Sequence, residues 1–133
     1  MLEEEILRKY RNVAVVGLST DPSKPSCKVG LYLTHHGYNV IPVNPKATEI
    51  SGKKSYPDLS TVPEKVEIVD IFRRAEDVMP IVEEAIKVGA KVVWMQEGIV
   101  NEAAAQKARE AGLEVVMDKC MRRELEKLKE KES

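Results

Sequence analysis

Apolar residues come along this chain in two rhythms that take turns. Val13-Ala14-Val15-Val16, Val40-Ile41-Pro42-Val43, Ile68-Val69 with Ile71-Phe72, Val92-Val93-Trp94-Met95 and Val115-Val116-Met117 are short runs, mostly too uniformly apolar to alternate. Runs of that kind are strands covered on both faces, the mark of a parallel sheet. Between them the apolar residues are spaced as on a helix. Val29, Leu31, Tyr32 and Leu33 precede Gly37; Val78, Ile81, Val82, Ala85 and Ile86 precede Gly89; an alanine-rich stretch from Asn101 to Ala111 precedes Gly112. Each reads as an amphipathic helix stopped by glycine, with Ser26 and Asn101 as N-caps of the first and third. Leu2, Ile6, Leu7 and Tyr10 predict a short helix at the domain edge. Leu125 and Leu128, inside a dense Arg/Glu/Lys tail from Met121, predict a solvated one with Arg122 and Glu126 paired. The segment from Ala47 to Lys65, holding Gly52, Pro57 and Pro63, reads as loop with one helical turn near Asp58-Leu59.

Strand and helix alternate throughout, so the expectation is one α/β domain over residues 1–133. It is a Rossmann-like, doubly wound, five-stranded parallel sheet with right-handed crossovers. The strand order expected is 3-2-1-4-5, with a switch point beside the first strand, and ligands bind at the carboxyl ends of strands near such a point. Pro42 inside the second strand asks for a position whose N–H the ladder does not need.

The bulk numbers narrow the classes. A chain of 133 residues buries roughly two-thirds of its unfolded surface. Net charge is -1, from 21 basic and 22 acidic residues, so no global field favours nucleic acid or an anionic membrane. No apolar run is long enough to span a bilayer, and the acidic start Leu2-Glu3-Glu4-Glu5 is unlike a secretory signal. The expectation is a cytoplasmic protein. Cys27 and Cys120 lie far apart and lack companions at metal-ligand spacing, which predicts free thiols and no metal. Charged residues make up 32% of the chain, with Lys and Glu prominent, and lean toward a thermophilic source.

Candidate chemistry gathers where the strands end. After the first strand comes Gly17, where backbone can approach a ligand, and then Leu18-Ser19 and a polar loop opening a helix. Lys24 and Lys28 add positive charge, while Ser19, Thr20, Ser23 and Ser26 offer hydroxyls. The glycine pattern G-x-G-x-x-G of a dinucleotide fingerprint is missing. The second strand ends Val43-Asn44-Pro45-Lys46, with no acid for a ribose diol and a cation two residues on. Lys46 suits a ribose carrying an extra phosphate, which leaves NADP and the 3′-phosphate of coenzyme A both open. Phe72-Arg73-Arg74 supplies an aromatic ring and guanidiniums. Gln96-Glu97-Gly98 supplies an amide and a glycine that permits close approach. His35 and His36 fall at the end of the first long helix and read as surface residues.

Taken together, Val16-Gly17-Leu18-Ser19 with Lys24, Val43 to Lys46, Phe72-Arg73-Arg74, Gln96 to Ile99 and Asp118-Lys119-Cys120 resemble the compact single-domain CoA-binding protein family. Its fold is shared with the N-terminal domain of the succinyl-CoA synthetase α subunit. The resemblance runs from about Asn12 to Cys120. It implies that the first loop, with Gly17, Leu18, Ser19, Lys24, Ser26 and Cys27, holds a pyrophosphate. It implies too that Asn44, Pro45 and Lys46 meet the adenosine and its 3′-phosphate. Phe72 and Arg73 would flank the nucleotide, and Gln96 and Gly98 would line the pantetheine arm. The synthetase's phosphohistidine lies in a second domain that this chain lacks, so thioester-forming chemistry is not implied. Either thiol, Cys27 in the first turn of a helix or Cys120 on the same sheet edge, is a candidate for a mixed disulfide with coenzyme A.

The residues show no nucleophile–base–acid set, metal cluster or P-loop. The expectation is therefore a binder of coenzyme A or an acyl-CoA, acting as a carrier, sensor or partner subunit. An NADP-dependent oxidoreductase is the enzymatic rival. A regulatory or interaction module with a vestigial nucleotide pocket, working through its charged tail with a protein partner, is the other.

Overall fold

The computed structural model describes residues 2–133. Helix α1 (Leu2–Lys9) leads into β1 (Asn12–Val16), α2 (Pro25–His35) and β2 (Asn39–Val43). A two-stranded hairpin follows, β3 (Glu49–Ile50) and β4 (Lys53–Lys54), and then a 3₁₀ turn over Leu59–Thr61. The chain continues through β5 (Ile68–Ile71), a 3₁₀ turn at Ala75–Asp77, α3 (Val78–Lys87), β6 (Val92–Met95), α4 (Glu102–Glu110), β7 (Glu114–Val116) and α5 (Met121–Glu132).

Five strands form one parallel sheet in the order β2-β1-β5-β6-β7. Counted by sheet strand this is 2-1-3-4-5, which corrects the expected 3-2-1-4-5. The third sheet strand, β5, pairs with β1 from Val13↔Ile68 to Val16↔Ile71 and leaves β2 at the margin. Pro42 carries the reason. Its carbonyl accepts from Tyr56 N–H (3.0 Å) on the outer side of β2. Its nitrogen faces the same way, so the missing donor is lost at the edge and not from the ladder with β1. The switch point lies between β1 and β5, as this order places it.

Alternation sorts the core into two layers. Ala14, Val16, Val69, Ile71, Val93 and Met95 face α3 and α4, whose buried residues include Val78, Val82, Ala85, Ala104 and Ala108. Val13, Val15, Ile68, Val92, Trp94 and Val116 face α1, α2 and α5. Asn101 caps α4, its Oδ1 accepting from Ala104 N–H at 3.0 Å. Pro80 falls in the first turn of α3, and Arg122 pairs with Glu126 at 3.5 Å. Other local readings need correction. Helix α2 begins on Pro25 with Lys24 at the N-cap position, so Ser26 is the second residue of the helix and not its cap. The 47–65 loop contains the β3–β4 hairpin, whose Ser51 and Gly52 both have positive φ (53° and 78°) as a tight hairpin turn requires. The tail is not simply solvated: Met121, Leu125 and Leu128 are buried against the α1/α2 side.

Candidate functional site

The carboxyl edge is tied together by its first glycine. Gly17 has φ +90°, and a Cβ there would lie 2.4 Å from the carbonyl oxygen of Phe72. Only glycine lets the end of β1 close on the end of β5 in this way. Its N–H bonds Val43 O (2.9 Å), and Phe72 N–H bonds Val16 O (2.9 Å), so three strand ends meet at one residue.

The loop from Leu18 to Lys24 is shaped by side chains. Ser26 is buried, and its Oγ accepts from Ser19 N–H at 3.0 Å. Asp21 accepts from Ser23 N–H (2.9 Å) and Oγ (2.8 Å), and these bonds, the backbone one foremost, hold its carboxyl below the usual range. At the start of α2, Pro25 removes one free donor, and Cys27 N–H turns back onto Lys24 O (3.1 Å). Attraction for an anion here therefore rests on the helix dipole and on the exposed Lys24 and Lys28.

Asn44 joins the second strand end to the first loop. Its Nδ2 donates to Leu18 O (3.0 Å), and its Oδ1 accepts from Lys46 N–H (2.9 Å). The side chain is committed to the protein; Pro45 and Lys46 stand exposed beyond it. Arg73 Nε lies 3.3 Å from the Cβ position of Gly17 and so borders the cradle. Arg74 stands at the rim of the same edge and pairs with Glu76 (3.3 Å) and Asp77 (3.5 Å). Phe72, Arg73, Arg74, Ala75, Gly98 and Ile99 line an open groove of about 520 Å³. A second groove of about 380 Å³ is lined by Pro25, Lys28, Glu97, Cys120, Arg122 and Arg123. Both volumes fall in the range of ligand clefts.

The predicted residues thus divide. Gly17, Ser19, Asn44, Phe72 and Arg73 come together, with Lys24 and Lys46 standing out from the loops and Arg74 and Gly98 in the adjoining groove. Leu18 and Val43 are packed in the core behind the edge. Cys27 is buried, its Sγ 3.8 Å from Ser51 Oγ, whereas Cys120 is partly open to the second groove. Gln96 is 3% exposed, and its Nε2 donates to Asp70 Oδ1 at 2.6 Å, so its amide nitrogen is committed beneath the edge. Asp70 is the residue that the pattern of the chain passed over. It lies in β5 with no exposed surface, and burial, opposed only by the Gln96 hydrogen bond, pushes its carboxyl up to about 7. The signal was present as a single acid inside an otherwise apolar strand.

Comparison with known proteins places the chain in a family. A family model described as a CoA binding domain matches residues 11–126. The protein YneT of Bacillus subtilis (strain 168) is 40% identical over 119 residues, covering 90% of this chain and 88% of its own. The acetate–CoA ligase (ADP-forming) II of Archaeoglobus fulgidus is 31% identical over 95 residues, 69% of this chain but only 14% of the ligase. Among solved structures, a hypothetical protein from Pyrococcus horikoshii OT3 superposes with a TM-score of 0.92 at 48% identity, covering 95% of this chain and 89% of that one.

Proposed function

Since the chain belongs to the CoA-binding domain family, we propose that it binds coenzyme A or an acyl-CoA at the carboxyl edge of its sheet. It works there as a cytoplasmic carrier, sensor or partner subunit without catalysis of its own. The observation that carries this reading is the joining of three strand ends at Gly17, which builds one cradle from loops far apart in sequence. In it the 18–26 loop, with Lys24 and Lys28, faces the pyrophosphate. Lys46, oriented by the Asn44 turn, meets the 3′-phosphate. Phe72 and Arg73 flank the nucleotide, and the Gly98 groove takes the pantetheine arm. Ser26 and Asn44 act by holding the loops, since their polar atoms are engaged with backbone. The acidic residue that an NAD site needs at the end of β2 is absent, and a lysine stands nearby.

Calorimetric titration with coenzyme A, NADP and NAD in parallel tests the reading. Micromolar binding of coenzyme A alone is expected. Lys46→Ala then weakens it about tenfold, the scale of one charge-assisted hydrogen bond. With dephospho-coenzyme A, wild type and variant bind alike. A preference for NADP overturns the proposal in favour of an oxidoreductase, and silence toward all three favours an interaction module.

A further inference from the structure

Beneath the cradle lies a polar pair that the proposed contacts leave unused. Asp70 stands between Val15 and Trp94 in register, on the sheet face covered by α1, α2 and α5. Its Oδ1 accepts from Gln96 Nε2, and its Oδ2 is buried without a hydrogen-bond partner among the described residues. A carboxyl in that setting is incomplete in either form. As an anion it has one donor in an apolar site; as an acid its O–H has no acceptor. The covering elements turn apolar residues inward: Ile6 and Leu7 from α1, Val29 and Leu33 from α2, Met121, Leu125 and Leu128 from α5. The titratable groups at this end of the sheet are the thiols of Cys27 and Cys120, the cations Lys28, Lys119 and Arg122, and the acids Glu3, Asp118 and Glu124. Lys119 is bound to Glu3, Arg122 to Glu126 and Glu124 to Lys127, Asp118 accepts from Gly98 N–H at 2.6 Å, and none of these groups contributes to the state of the Asp70 carboxyl.

Each partner of the pair also holds a piece of the site. Two residues beyond Asp70, Phe72 closes on Gly17. The backbone of Gln96 reaches Ile71 O (3.4 Å) through its N–H and accepts from Ile99 N–H (2.9 Å) through its C=O, closing the turn that contains Gly98. We propose that Asp70 and Gln96 form a proton-linked positioning pair, in which the charge on Asp70 sets how the 72–73 and 96–99 segments present themselves to the ligand. The inference rests on the coenzyme A reading for its ligand. Phosphates brought to this edge disfavour a second anion below it, so binding favours protonated Asp70 and takes up a proton.

The apo protein tests the pair without any ligand. In NMR titration the backbone amides of Phe72, Arg73 and Ile99 follow the Asp70 carboxyl through one transition near neutral pH. Asp70→Asn, a neutral isostere, abolishes that transition and holds the amides at their low-pH positions. Gln96→Met removes the donor that favours the carboxylate, so the transition moves to higher pH, which keeps the test open should Asp70→Asn fold poorly. Amides that ignore the carboxyl, or a transition unchanged in both variants, overturn the proposal. For the ligand, coenzyme A affinity is measured at about pH 6 and pH 8 in wild type and Asp70→Asn, where the phosphate's own ionisation cancels. Wild type loses up to about tenfold more than the variant, the limit for a single group titrating midway between. Equal losses overturn the coupling. If neither protein binds coenzyme A, the functional reading falls, while the apo titration still decides whether the pair controls the two segments.

Discussion

At the scale of single residues, Gly17 and Asp70 bound what the site can tolerate. Gly17→Ala adds a left-handed penalty of about 1–2 kcal/mol and an overpacking cost of about 1–3 kcal/mol against Phe72 O. Urea denaturation followed by circular dichroism should show a loss in that combined range. Asp70 acts through pH. Its folded-state value, about 7, lies above that of an unfolded aspartate, so the native state holds the proton longer. The stability it contributes is therefore fully present only below the unfolded aspartate's value, is lost as pH rises from there to about 7, and levels off above it. Thermal melts should show Asp70→Asn more stable than wild type at pH 8, by on the order of a few kcal/mol, with the gap narrowing below pH 7 and closing only near about pH 4. Gly17 was legible from its place after an apolar run. Asp70 was legible only as a lone acid inside an apolar strand; its importance comes from neighbours on β1 and β6 that no local pattern names. Ser26 misled for a related reason: as a residue type it suits a cap, but Pro25 had already taken the first helical position.

Among the elements, α1 and α5 form a clasp between the two ends of the chain. Ile6 and Leu7 of α1 and Leu125 and Leu128 of α5 share one buried cluster, and Tyr38 Oη donates to Leu7 O at 2.6 Å. The pairs Arg8–Glu132 (3.0 Å) and Lys131–Glu4 (3.1 Å) decorate the contact, but exposed pairs of this kind contribute little. Leu125→Ala should therefore cost about 2–5 kcal/mol, whereas raising the salt concentration should barely change the melting temperature. Helix existence and period were readable here from Leu2, Ile6, Leu125 and Leu128. The burial of Ile6 with Leu125 and Leu128 was not, since the charged residues around the two leucines suggested solvent on every side. The β3–β4 hairpin escaped for want of length, as two residues per strand leave no alternation to read.

For the whole molecule, the class of fold was open to reading and the order of its strands was not. Local patterns mark each strand but do not say which neighbour it chooses. The long crossover between β2 and β5 carries no α-helix to fix its path. Pro42 held the missing clue, since a residue without a donor belongs at a margin. A ligand that binds only the folded form stabilises it by mass action. Coenzyme A at one hundred times its dissociation constant should therefore add about 2.7 kcal/mol, read as a rise in melting temperature that NAD does not produce. The same margin has a consequence for behaviour in crowded solution. An open β-strand invites pairing with another chain, but β2 presents a proline there and is capped by Tyr56, whose N–H and C=O both bond to the edge (Pro42 O, 3.0 Å; Asn44 N, 2.8 Å). The opposite margin, β7, is only three residues long. With one border capped and the other only three residues long, the sheet offers little template for fibril-like self-association.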